Sequence, residues 1–127
     1  MRRFINKIID RIQRKRAIRN HRKMWHWLAE NPTKNKLDYL EPLGDRQWPQ
    51  DSCYLCDYAI RAAKRDEVPY RFRCHYCPLD WGGRGCNRDH SLYEEWWLES
   101  HSLEDGNCKK KSELALQIAE LPEKVEK

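Results

Sequence analysis

The chain has 127 residues, of which 35% are charged and 39% hydrophobic, with six cysteines, a net charge of +5 and a mean hydropathy of −1.05. This composition excludes a membrane-spanning helix, which needs about 20 consecutive apolar residues, and it allows only a small hydrophobic core. We therefore predict a basic amphipathic helix over residues 1–31, a small domain over 32–105 and a C-terminal helix over 106–127.

The first predicted element is a helix over residues 2–29. Apolar side chains recur at steps of three and four residues, first at Ile5, Ile8, Ile9 and Ile12 and later at Met24, Trp25 and Leu28. Pro32 disfavours the α conformation in Asn31 and ends the helix. Ten Lys or Arg and one acid, Asp10, precede residue 28, a local charge of +9. The rest of the chain carries −4, so the molecule is electrically divided.

Such a basic helix can bind nucleic-acid phosphates, an acidic protein surface, an anionic membrane or the acidic half of its own chain. We expect nucleic acid first and a protein partner second, with a membrane unfavoured and no small-molecule substrate. The candidate contacts are Arg11, Arg14, Lys15, Arg16, Arg19, Arg22 and Lys23. The four N-terminal isoleucines are candidate anchors for a hydrophobic partner, because such a stripe otherwise stays wet.

Two cysteine pairs lie in the middle of the chain. Cys53 and Cys56 are followed, after seventeen residues, by Cys74 and Cys77. This spacing is typical of a structural Zn²⁺ site with four thiolates. No apolar run resembling a secretory signal follows Met1, so we expect a reducing cytoplasm, where clustered cysteines bind metal more often than they form disulfides.

The ligand set has one alternative. Cys86 ends a glycine-rich loop nine residues after Cys77 and can replace Cys74 as the fourth ligand. His75 and His90 are more typical of residues that support ligands, and Cys108 is expected to be a spectator.

The elements around the cysteines are predicted to be short. Residues 57–65 suit a helix, and the alternation of Tyr70, Arg71, Phe72 and Arg73 suits a strand that enters the second cysteine pair. We expect the two aromatic rings in the core, although aromatic and basic side chains in alternation can also stack nucleic-acid bases. We therefore predict an α-rich zinc-binding domain with a zinc-ribbon-like or knuckle-like core, a short β hairpin and a long N-terminal basic helix.

Two further helices are predicted near the C-terminus. Ser91 and Glu94 have the spacing of a capping box and begin a helix that continues to about Ser100. A last helix over residues 108–121 carries Leu114, Ile118 and Leu121 on one side and can pair with the N-terminal isoleucine stripe.

A resemblance extends over about residues 24–97. The motifs that carry it are Trp25-x-Trp-Leu-Ala-Glu-Asn-Pro32, Asp38-Tyr39-Leu40, Cys53-Tyr-Leu-Cys-Asp-Tyr-Ala59, Cys74-x-x-Cys-Pro-Leu-x-Trp81, Cys86 and Leu92-Tyr-x-x-Trp96. They resemble small cysteine-rich proteins of tailed bacteriophages and prophages. The resemblance implies a phage origin, a bacterial cytoplasm and metal binding, and it favours Cys86 as a ligand. It does not cover the basic helix.

Enzyme motifs are missing from the sequence. There is no HExxH, GxSxG or phosphate-binding loop, and no zinc-deaminase signature. A metal-dependent nuclease built on His90 and Glu94 is the least favoured alternative. We therefore expect a non-enzymatic phage protein that binds nucleic acid, or alternatively one that inhibits or modulates a host or defence protein.

Overall fold

The computed structural model describes residues 2–43, 53–81, 91–100 and 108–124. Five α-helices lie within these ranges: α1 (Arg2–Glu30), α2 (Lys36–Leu40), α3 (Tyr54–Arg65), α4 (Leu92–Ser100) and α5 (Cys108–Ala119). Two 3-10 helices accompany them, one over Glu41–Leu43 and one over Tyr70–Tyr76.

The long helix α1 has two different halves. Its C-terminal half lies in the core, where His21, Met24, Trp25 and Leu28 are almost fully buried. The isoleucines of its N-terminal half are exposed. The helix ends at Glu30, beside the predicted break, and Asn31 donates its backbone N–H and its side-chain amide to the Trp27 carbonyl. The C-terminal half of α1 therefore packs in the core, whereas the isoleucine stripe of its N-terminal half stays exposed.

Helix α5 packs against the C-terminal half of α1 rather than against the isoleucine stripe. It buries Leu114, Ala115, Ile118 and Ala119 in the main core. The His21 Nε2 atom lies 3.0 Å from the Ile118 carbonyl oxygen, and the Ser112 hydroxyl donates to the carbonyl of Ala29. These apolar and polar contacts fix α5 along α1, so α5 and the C-terminal half of α1 share one core.

Aromatic rings fill the space between α1 and α4. The rings of Trp25 and Trp96 meet edge to face, with centroids 4.8 Å apart, and Tyr93 meets Trp25 in a similar arrangement. Such pairs contribute about 1 kcal/mol beyond the area that they bury. The predicted N-cap of α4 is present, because Ser91 Oγ accepts from the Glu94 N–H at 3.1 Å.

The predicted zinc-ribbon-like core with a β hairpin is wrong. The described residues form no strand, and their extended pairing is limited to one isolated antiparallel bridge between Leu79 and Glu123. Residues 70–76 form a 3-10 helix that begins after Pro69 and packs on α3. Their alternating pattern lacks a neighbouring strand to pair with, and a helix face is packed against them instead.

The first cysteine pair also begins a helix rather than a hairpin turn. Cys53 is the N-cap of α3, and Cys56 lies in the first turn. The helix thus starts three residues before the predicted start at Asp57.

Candidate nucleic-acid interface and the cysteine pairs

The outer face of α1, defined by Ile5, Ile8, Ile9, Ile12, Arg16, Arg19 and Lys23, points away from the core. Apart from the adjacent pair Ile8 and Ile9, these residues follow one another at steps of three and four, as do the core residues Ile18, His21, Trp25 and Leu28. The two series are offset by two positions, which corresponds to about 200° around an α-helix. The four isoleucines, 43–52% exposed, therefore lie on the side of α1 that no described element covers.

Five cations form a ridge along the same helix. The ridge consists of Lys7, Arg11, Lys15, Arg19 and Lys23, each four residues from the next and all exposed. Adjacent members are separated by about 6 Å along the axis and by about 40° around it, so the ridge winds through about 160° over a length of about 24 Å. No ion pair joins any of the five to another described residue. The ridge is thus a positive surface that the described part of the chain does not neutralise.

Two of the predicted contact residues have structural roles instead. Arg14 pairs with Glu123 at 3.0 Å and donates to the carbonyls of Pro78 and Lys124. Arg22 donates to the carbonyl of Leu121 at 3.1 Å. Both side chains tie α1 to the residues that follow α5. Of the seven predicted cations, the structure therefore leaves Arg11, Lys15, Arg16, Arg19 and Lys23 on the surface.

The acid in the N-terminal half of α1 is neutralised from α3. Asp10 Oδ1 accepts from the Arg65 guanidinium at 2.9 Å and from the Tyr58 hydroxyl at 2.8 Å. Burial raises the pKa of Tyr58, and the hydrogen bond to Asp10 raises it further. The phenol is therefore a constant donor, and Asp10 adds little negative charge to the surface of α1.

A cleft lies between α1 and α3. Gln13, Arg16 and Asn20 line it from α1, while Tyr54 and Arg61 line it from α3. Arg61 pairs with Asp57 at 3.6 Å and is mostly exposed. The walls of the cleft therefore offer amide and guanidinium donors.

The 3-10 helix over Tyr70–Tyr76 carries two exposed aromatic residues, although the sequence predicts their rings in the core. Tyr70 is 53% exposed and Phe72 41% exposed. The Arg73 guanidinium lies 4.1 Å from the centre of the Tyr70 ring, and that of Arg71 lies 4.9 Å from the Phe72 ring. We call these four residues the aromatic platform. The predicted burial of its rings is wrong.

The four cysteines of the two pairs are free thiols, and the first of the four and the last of the four lie against the main core. Cys53 and Cys77 both pack there, whereas Cys74 is exposed. A hydrogen bond from the Cys56 thiol has the largest effect on the pKa of Cys53. Together with the charge of Lys36 and a hydrogen bond from the Cys56 N–H, it lowers this pKa to about 6, although burial acts in the opposite direction. Burial raises the pKa of Cys77 to about 11, and the negative charge of Cys53 adds to this rise.

Within the described ranges, no group of three His, Cys, Asp or Glu side chains has the geometry to hold a metal ion. Zinc binding by Cys53, Cys56, Cys74 and Cys77 therefore stays a prediction. The alternative ligand Cys86 lies outside the described residues, as does His90.

Comparisons with family models, with curated proteins and with solved structures gave no match to this chain. The resemblance to phage proteins therefore stays a prediction from the motifs. Among the described residues, no helix is both long and apolar enough to cross a membrane.

Proposed function

We propose that this protein binds nucleic acid, without catalysing a reaction, through the cation ridge of α1. The observation that supports the proposal is the row of five exposed cations, spaced about 6 Å apart and unpaired with acids among the described residues. A row of cations of this length can neutralise several phosphates of one nucleic-acid strand. Arg16, on the outer face beside the ridge, adds a sixth cation.

Helix α1 can present this ridge without rearrangement. Its C-terminal half is fixed in the core by Trp25 and Leu28, and Arg14 anchors its middle to Glu123. Arg19 and Lys23, which lie in the docked half, are thus held in place, and this reduces the ordering cost of binding there.

The test is fluorescence anisotropy of labelled duplex DNA, single-stranded DNA and structured RNA between about 50 and 300 mM salt. Each phosphate contact to a duplex changes the slope of log K against log salt by about −0.9. We expect a steep slope for the wild type. Reversal of charge in R11E/K15E/R19E should abolish binding.

A matched control makes the same change of net charge elsewhere. Lys34, Lys64 and Lys109 are exposed and lie outside α1. The variant K34E/K64E/K109E should keep most of the affinity. Weak binding of the wild type to all three nucleic acids, or equal losses in both triple variants, would contradict the proposal.

A second candidate is a protein partner with an acidic rim around an apolar groove. The exposure of Ile5, Ile8, Ile9 and Ile12 favours it, since four large apolar side chains on one bare face are typical of helix-in-groove recognition. In the phage setting that the motifs suggest, the partner would be a host or defence protein in the bacterial cytoplasm. This candidate predicts a stoichiometric complex that survives moderate salt and is lost in I8A/I12A, while nucleic-acid binding by that variant is retained.

A further inference from the structure

The aromatic platform is the exposed feature that the cation ridge does not explain. Tyr70 and Phe72 lie in the first turn of a seven-residue 3-10 helix and are 53% and 41% exposed. Small proteins rarely leave two large rings exposed on one short element when their core is small. Two exposed rings on one short element are therefore typical of a binding surface.

The platform has a fixed and cationic construction. Arg73 lies over the Tyr70 ring and donates from its guanidinium to the Tyr70 carbonyl at 3.3 Å. Arg71 lies beside Phe72, and the His75 ring lies 6.1 Å from Phe72. The rings are thus held by neighbouring planar groups, and both arginines add positive charge. The surface is flat, aromatic and positive at once.

The platform is also joined rigidly to the basic helix. Its 3-10 helix packs on α3, and Tyr76 at its end packs against a small cluster made by Ala17 of α1 with Tyr58 and Ala62 of α3. Lys124 donates to the carbonyl of Cys74 at the same end. The platform and α1 are therefore parts of one packed unit.

We propose that the platform stacks unpaired bases, and that the nucleic acid bound by this protein is single-stranded. The inference rests on the proposed function. Bases of a duplex are already stacked inside the helix and cannot lie on a protein ring unless they are flipped out, whereas a single strand exposes every base. Exposed aromatic and guanidinium planes next to cations are the groups that bind single strands with little dependence on sequence.

The test compares binding of an oligonucleotide of about 12 residues, as a single strand and as a duplex, by the full-length protein and by Y70A/F72A. We expect the wild type to prefer the single strand. The variant should lose at least about tenfold in affinity for it, with little change for the duplex. A fluorescent base analogue within the strand should lose its quenching in the variant.

Two further variants control for folding and for loss of apolar surface. Y70F/F72Y keeps both rings and should bind like the wild type. L37A/L116A removes two apolar side chains of similar exposure elsewhere and should also bind like the wild type.

The outcomes separate the two proposals. Single-strand binding that is unchanged in Y70A/F72A, or a preference for duplex, overturns the stacking inference while the cation ridge still accounts for binding. Absence of binding to either form overturns the proposed function and this inference together.

Discussion

His21 makes the stability of the protein depend on pH. Its side chain is 1% exposed, and its ring lies near the rings of Trp25 and Trp81, with centroids 6.3 and 6.1 Å away. The Ile118 carbonyl can only accept, so Nε2 carries the hydrogen of the neutral ring. Protonation of the ring would place a charge in this apolar site.

Burial lowers the pKa of His21 from 6.5 to about 4, against the opposing effect of the hydrogen bond to Ile118, and the charges of Lys36 and Arg22 lower it further. The unfolded chain therefore binds more protons than the folded one between these two values. The contribution of neutral His21 to the free energy of unfolding is therefore present above pH 6.5 and is lost as the pH falls from 6.5 to about 4. The loss should reach about 2 kcal/mol at pH 5 and about 3 kcal/mol below pH 4.

The assay is urea unfolding followed by tryptophan fluorescence at pH 7.5 and pH 5. The variant H21Q keeps an N–H donor but cannot titrate, so its free energy of unfolding should change about 2 kcal/mol less than that of the wild type between the two conditions. H26Q changes an exposed histidine of the same helix and should behave like the wild type. An equal pH dependence in H21Q and the wild type would refute the reasoning, whatever the absolute stability of H21Q.

Three other perturbations test the core, the α1–α3 contact and the metal prediction. W25A should cost about 3–5 kcal/mol in urea unfolding, because it removes a fully buried ring that packs against Trp96. D10N should cost about 1–2 kcal/mol, because it weakens the hydrogen bonds from Tyr58 and Arg65. Protein purified with zinc should hold about one ion per chain by elemental analysis, and C53S should lose it while C108S keeps it.

Each of these expectations has a clear contrary result. A loss below about 1 kcal/mol in W25A would mean that the ring is not a core residue. Unchanged stability in D10N would mean that the contact between α1 and α3 is too exposed to contribute. Equal zinc contents in the two cysteine variants would remove Cys53 from the ligand set.

The positions of the main helices were largely predictable from local signals. Asn31-Pro32 marks the end of α1, and the Ser91 hydroxyl forms the N-cap that the Ser-x-x-Glu pattern indicates. These features depend on a few neighbouring residues. The backbone preferences of those residues act before any tertiary contact, so the sequence carries them directly.

The wrong predictions concern contacts between residues that are far apart in the sequence. Charge alone cannot distinguish Arg14, which pairs with Glu123, from Lys15, which is exposed. The alternation of Tyr70 and Phe72 suits a strand, but a strand needs a neighbour that the surrounding helices do not provide. The exposure of the isoleucine stripe did have a signal in the sequence. Ile12 and Met24 are twelve residues apart, which places them about 120° apart around the helix, so the two apolar series of α1 do not share one face.

The division of α1 into a docked half and a bare half has a consequence for how the helix forms. The first turn of α1 has no acid to interact favourably with the helix dipole, so the bare half is a weak helix by itself. Starting a helix is its costly step, and packing of Trp25 and Leu28 supplies that start. Helical turns then propagate from the core towards the N-terminus. Amide hydrogen exchange should therefore slow steadily from residue 5 to residue 25, as a graded record of distance from this nucleus.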